Sequence, residues 1–152
     1  MGPAETRPQA AVAVASIGYQ HKSVDEFVAL LRAHGVTRVV DVRANATSRR
    51  ADFRRDHLER ALAARDIAYE HLPHAGNPFR STAGARGSFA DIAPRYREHL
   101  QRHPSVLLDV YAVLSRGKSA VMCYEADPAS CHRTVLLQVI DAEVAPLEVT
   151  EL

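Results

Sequence analysis

The chain has 152 residues, 47% of them hydrophobic and 24% charged, which suits one hydrophobic core and excludes two ordinary domains. Nineteen Lys and Arg stand against 18 Asp and Glu, a formal charge of +1, so the molecule as a whole has no strong field to gather nucleic acid or an anionic membrane. Any electrostatic function has to be local, and no apolar stretch reaches the length of a membrane span.

In chain order, residues 1–10 contain Pro3, Glu5, Arg7 and Pro8 and read as a flexible segment ahead of one apolar strand, without the pattern of a signal peptide. Residues 11–17 form that strand, closed by Gly18. Ser23 with Glu26 three positions on is a capping-box signature. It opens an amphipathic helix that buries Val24, Phe27, Val28 and Leu31 and stops at Gly35, a residue suited to the left-handed position after a helix. Residues 36–42 read as a second buried strand, followed by a polar loop over 43–52. Leu58, Ala61 and Leu62 recur at helical spacing, and residues 66–72 look like a third strand. Residues 73–87, rich in Gly, Pro, Ser and Asn, read as a long surface loop of the kind that carries function. Two helices follow, over 92–100 and 106–114, separated by Pro104, then a fourth strand over 120–123. Asp127-Pro128 fits an N-cap followed by proline at the first helical position, which places the last long helix at 129–139. Residues 144–149 add a closing strand. The alternation predicts the α/β class: a single-domain, three-layer Rossmann-like sandwich over residues 1–152, with a mostly parallel sheet of four to five strands.

In open parallel sheets ligands gather at the carboxyl ends of the strands. Here those ends carry Tyr19-Gln20-His21, Asp41-Val42-Arg43, Glu70-His71 and Cys123-Tyr124-Glu125. Between Arg43 and Arg65 there are seven arginines against three acids, a pattern that fits either a solvated helix face or phosphate contacts. Arg43, Arg49 and Arg133 could fork onto phosphate or carboxylate oxygens beside Ser48, with Asp41 orienting Arg43. The competing readings are a structural Asp41–Arg43 pair and a Glu125–Arg133 ion pair. Glu125 suits a general base and His132 a proton shuttle near neutral pH. Cys131, expected in the first turns of a helix where the dipole lowers a thiol pKa, suits a nucleophile; its other reading is a small buried hydrophobe.

Cys123, Cys131 and His132 are metal-ligand types. Their spacing does not match the paired C-x-x-C frameworks, and adjacent Cys and His rarely hold one ion, so no metal site is assigned. No P-loop or G-x-G-x-x-G fingerprint occurs, and no cofactor is assigned. Two cysteines without an export signal fit a reducing compartment, so a cytoplasmic protein is expected. Asn45-Ala46-Thr47 and Met1-Gly2 with Thr6 match glycosylation and myristoylation patterns too short to carry weight alone.

Ile17-Gly18, Asp41-Val42-Arg43, Ser48-Arg49, Phe53, Tyr69 with His71-Leu72-Pro73, Gly76 and the run from Met122 to Arg133 together resemble the motifs of domain-of-unknown-function family 488, over most of the chain from Ser16 to Ile140. Gln20-His21, Ala46 and His74-Ala75-Gly76-Asn77 depart from that family's pattern. The resemblance implies the fold and the location of a site, without an activity. These readings together describe an enzyme acting on a phosphate-bearing small molecule, nucleotide or nucleic acid in a cleft at the strand ends. Glu125, His132 and Cys131 would supply the chemistry, and Asp41, Arg43, Ser48, Arg49 and Arg133 would hold the substrate. The alternatives are a non-catalytic nucleotide- or nucleic-acid-binding module and a thiol-dependent, rhodanese-like transferase.

Overall fold

A computed structural model describes residues 10–79 and 89–152. Its five strands are β1 (Val12–Gly18), β2 (Arg38–Asp41), β3 (Ala68–His71), β4 (Ser119–Cys123) and β5 (Leu147–Glu151). They form one all-parallel sheet in the order β3-β2-β4-β1-β5. Five helices accompany them: α1 (Val24–Ala33), α2 (Arg55–Ala63), α3 (Phe89–Arg102), α4 (Pro104–Leu114) and α5 (His132–Glu143).

Alternate strand residues face opposite sides of a sheet, and both sides here are apolar. Ala15, Ile17, Val39, Ala120 and Met122 pack with Phe27, Val28 and Leu31 of α1 and Leu58 and Leu62 of α2. Val14, Val40, Val121 and Cys123 face the other way, against Tyr96 and Leu100 of α3, Val110 of α4 and Leu136 and Ile140 of α5. The result is the three-layer α/β sandwich that the alternation of elements predicts. β4, at the centre, is buried at all five positions, whereas β5 at the edge is almost wholly exposed.

The capping box is formed: the Glu26 N–H donates to Ser23 Oγ at 3.0 Å, and the Ser23 N–H donates to Glu26 Oε1 at 2.8 Å. Gly35 takes the left-handed conformation after α1, with φ of 69°. The end of β4 departs from expectation. Asp127 does act as a cap, its Oδ1 accepting the Ala129 N–H at 2.9 Å, but Pro128–Ser130 is only a turn of 3-10 helix. Cys131 is extended (φ −124°, ψ 138°), so α5 starts at His132 and not at residue 129. Cys131 therefore precedes the helix, and its side chain is buried. Among the described residues no helix is long and apolar enough to cross a membrane.

The topology sets the position of the site. The chain leaves β1 and β2 toward the α1–α2 layer and leaves β4 toward α5 on the opposite face. Neighbouring strands whose connections diverge in this way open a crevice at their carboxyl ends.

Candidate functional site

A cavity of about 770 Å³ occupies that crevice. Tyr19 comes from the end of β1, and Arg43, Thr47, Ser48, Arg49 and Arg50 from the loop after β2. Asn77 and Pro78 come from the segment after β3, and Tyr124 and His132 from the two ends of the β4–α5 connection. Two close approaches draw these loops together. A Cβ on Gly18 would lie 1.7 Å from the Glu125 carbonyl oxygen, and one on Gly76 would lie 2.5 Å from Ala44 Cα. Only glycine permits either approach.

Arg43 is the fixed charge of the site. Its Nε donates to Asp41 Oδ1 at 2.9 Å and its Nη2 to Asp41 Oδ2 at 2.7 Å, a side-on pair in which both residues are buried. Nη1 donates to the carbonyls of Phe53 (2.9 Å) and Thr47 (3.3 Å), which fold the loop back around the guanidinium. Burial alone would disfavour the charge, but the hydrogen bonds and negative charge of Asp41 outweigh it and raise the Arg43 pKa. Tyr69 donates its phenol proton to Asp41 Oδ2, and burial together with the Asp41 charge pushes the phenol pKa up. His71 Nε2 donates to the Arg43 carbonyl at 2.7 Å, a direction fixed because a carbonyl can only accept.

The other two lining arginines are less committed. Arg50 donates to the Tyr19 carbonyl at 3.3 Å, lies 4.4 Å from the centre of the Phe53 ring and approaches Asp52 at 3.7 Å. Arg49 is exposed and makes no ion pair among the described residues. Ser48 Oγ accepts the Arg50 N–H at 3.1 Å. No carboxylate lines the cavity among the described residues. The remaining arginines of the basic run lie elsewhere: Arg54, Arg55 and Arg60 are solvated, and Arg65 pairs with Asp25.

Arg133 does not line the cavity. It is fully buried, and its three nitrogens donate to Ser16 Oγ (2.7 Å), the Glu125 carbonyl (2.6 Å) and Glu151 Oε2 (2.6 Å). It ties β1, the β4–α5 connection and β5 together. The ion pair is with Glu151 and reaches Glu125 only through its backbone, unlike the Glu125–Arg133 side-chain pair considered from the sequence.

Cys131 and His132 also sit differently from expectation. The Cys131 thiol faces Cys123, and that hydrogen bond together with burial raises its pKa, opposite to the lowering expected from a helix dipole. The cause is the extended Cys131 backbone, which buries the side chain against its partner. His132 Nε2 donates to the Val42 carbonyl at 3.0 Å, and its Nδ1 lies 3.4 Å from Cys123 Sγ. The sulfur and nitrogen atoms of Cys123, Cys131 and His132 lie within 4.8 Å of one another, and all three side chains are buried.

Of the expected site residues, the structure gathers Arg43, Ser48, Arg49 and His132 at the cavity and sets Asp41 directly behind Arg43. Cys131 lies beneath His132, Arg133 stands apart, and Glu125 follows the lining residue Tyr124. Arg50 and Asn77 were missed. The first was hidden in a basic run with no periodicity, and the second in a loop legible only as a loop. Tyr69 figured only as a matched motif position and His71 also as a polar residue at a strand end; that location was the available signal for a role around Asp41 and Arg43.

No curated protein and no solved structure matches the chain. The model of the family described as "Domain of unknown function DUF488" matches residues 23–140, a span holding both the arginine loop and the Met122 to Arg133 segment, and the chain belongs to this family.

Proposed function

We propose that the cleft recognises a phosphate-bearing ligand, a nucleotide or a phosphorylated small molecule, through Arg43, Arg49, Arg50 and Ser48. The observation that carries this reading is that three arginines, Arg43, Arg49 and Arg50, line a cavity whose described lining offers no carboxylate. Arg43 is already paired with Asp41, so the charge that an incoming anion would meet comes chiefly from Arg49 and Arg50. Guanidinium groups match the oxygens of a phosphate two at a time. Asp41 and Tyr69 keep Arg43 in place before any ligand arrives. The volume, about 770 Å³, falls in the usual range of small-molecule sites, roughly 300–1,000 Å³. Half-buried Tyr124 offers a ring surface to a base or other planar group.

Recognition fits the geometry better than catalysis. Histidine is the side-chain type that titrates near neutral pH, yet both ring nitrogens of His132 are engaged. A sulfur-transfer reading needs a thiolate at Cys131, and the raised pKa opposes one. A catalytic version of the proposal assigns the proton to Glu125 and a polarising role to His132. It requires phosphate-ester turnover that is lost in both Glu125→Gln and His132→Asn while ligand binding persists.

The test is thermal unfolding and calorimetric titration of wild type and of Arg49→Ala/Arg50→Ala with inorganic phosphate, nucleotides, and short RNA and DNA. At 100 times its Kd a ligand adds about 2.7 kcal/mol, or roughly 5–11 °C for a chain of this size. The expected result is a shift from a mononucleotide or phosphate that weakens with salt and vanishes in the double variant. Equal shifts in both proteins, or none with any anion, would overturn the proposal. Binding confined to the polynucleotides would move the ligand class from small molecule to nucleic acid.

A further inference from the structure

We propose that Cys123, Cys131 and His132 form a binding site for one thiophilic divalent metal ion, with zinc as the test species. The site does not depend on the anion reading, because its loading is measured with the cleft empty of any phosphate ligand.

Three observations support it. The three ligand atoms already lie within 4.8 Å of one another. A tetrahedral zinc ion with Zn–S of about 2.3 Å and Zn–N of about 2.0–2.1 Å holds its ligand atoms roughly 3.3–3.8 Å apart. The 3.4 Å between Cys123 Sγ and His132 Nδ1 already fits; the same sulfur lies 3.7 Å from Nε2, so closure asks for a turn of the imidazole that aims Nδ1 at the ion and for an approach of Cys131 from within 4.8 Å. The second observation is the Val42 carbonyl. By accepting the Nε2 proton of His132 it fixes the tautomer, leaving Nδ1 as the unprotonated nitrogen that can ligate. Backbone carbonyls orient metal-binding histidines in this way. Thirdly, the ligands sit on rigid elements: Cys123 ends the fully buried central strand β4, and His132 begins α5.

The spacing that argued against a metal site assumed that neighbouring residues diverge. They would on a continuous helix or strand. Here an extended Cys131 is followed by a helical His132, and that change of backbone conformation brings adjacent side chains onto one point.

Charge and protons balance. Binding displaces one proton from each thiol and none from the imidazole, whose Nδ1 is already bare, so each ion releases two protons and leaves a neutral dithiolate complex. Neutrality matters in a buried place, where a net charge would be costly. Three protein ligands leave a fourth position. His132 borders both the ligand set and the cavity, so water or a ligand oxygen would reach that position from the cleft, the open arrangement of catalytic zinc sites.

The test uses the full, untagged, reduced chain. Zinc is titrated calorimetrically in two buffers of different ionisation enthalpy, and cobalt(II) is titrated with absorption as the readout. The expected result is one ion per chain, two protons released, and a thiolate-to-cobalt charge-transfer band with tetrahedral ligand-field bands. Cys131→Ser should weaken zinc binding by at least about 10–100-fold, and His103→Gln, an exposed histidine outside the set, should leave it unchanged. A folded wild-type chain that binds no cobalt, or binds it without the thiolate band, overturns the proposal, as does binding unaltered in Cys131→Ser. If Cys131→Ser does not fold, the wild-type cobalt spectrum and proton count decide the question alone. Loss of the anion site in Arg49→Ala/Arg50→Ala should leave cobalt binding intact, which separates failure of one proposal from failure of the other.

Discussion

Tyr69 and Arg43 share a single acceptor atom, Oδ2 of Asp41. One donor comes from β3 and the other follows β2, so the carboxylate joins adjacent strand ends while aiming a cation at the cavity. Removing its charge leaves Arg43 buried beside a neutral group. Asp41→Asn is expected to cost about 3–5 kcal/mol, the usual penalty for breaking one side of a buried pair. Tyr69→Phe removes a single hydrogen bond to a charged acceptor and should cost about 1.5–3 kcal/mol. Urea unfolding of the two variants checks this order, and equal, small losses would mean that the pair contributes little.

Tyr69 also gives a pH signature. Its pKa is raised in the folded chain by burial and the Asp41 charge, against about 10 when unfolded. Below pH 10 both states keep the proton and stability is unaffected. Above it the unfolded state loses the proton while the folded state holds it, so stability falls as pH rises. Unfolding free energies measured between pH 8 and 11 should decline less steeply in Tyr69→Phe than in wild type. Identical slopes would place the Tyr69 titration near its ordinary value.

The glycines that close the site should be costly to replace for a different reason from the one in the turn. Alanine at Gly76 must push its Cβ away from the Ala44 backbone, and alanine at Gly18 meets the Glu125 carbonyl. Neither obstacle is a flexible side-chain tip. Each substitution should cost about 1–3 kcal/mol or more and weaken phosphate or nucleotide binding by displacing the loop after β2 or the β4–α5 connection. Gly35 has open space around its missing Cβ and only the positive φ to oppose a side chain, so Gly35→Ala should cost about 1 kcal/mol and leave binding alone. Calorimetric titration of the three folded variants distinguishes these cases.

How far the sequence could be read follows from the range of the forces involved. The capping box of α1, the Gly35 stop and the apolar strands are set by neighbours a few residues apart, and each was legible. So was the location of the cleft, because strand ends can be found once the strands are known. The fate of single side chains was less accessible. Arg43, Arg49 and Arg133 are chemically alike, but one is clamped at the cavity wall, one is exposed and one is buried against β5. The break at Cys131 was hidden for a related reason: Asp127-Pro128 signals a helical start correctly, and nothing local tells a 3-10 turn from the helix proper. The partners that settle these cases, Glu151 for Arg133 and Cys123 for Cys131, come from strands outside the local segment.

Arg133 and Arg49 give the sharpest separation of structural from ligand-facing charge. Arg133 is fully buried and its partner Glu151 is about one-third exposed, so Arg133→Ala should cost about 3 kcal/mol, the low end for a broken buried pair. It also leaves Ser16 Oγ and the Glu125 carbonyl without their donor. Arg49→Ala removes an exposed side chain and should alter stability by no more than about 0.5 kcal/mol. Ligand affinity should follow the opposite order. Arg49→Ala should lose binding free energy in a salt-dependent way, while Arg133→Ala, assayed at a temperature where it is folded, should retain most of it. Chemical unfolding and phosphate titration on the same two samples supply both readings. If Arg133→Ala loses affinity as steeply as Arg49→Ala while its unfolding midpoint hardly moves, Arg133 turns toward the ligand when the cleft is filled, and the division of labour among the arginines must be redrawn.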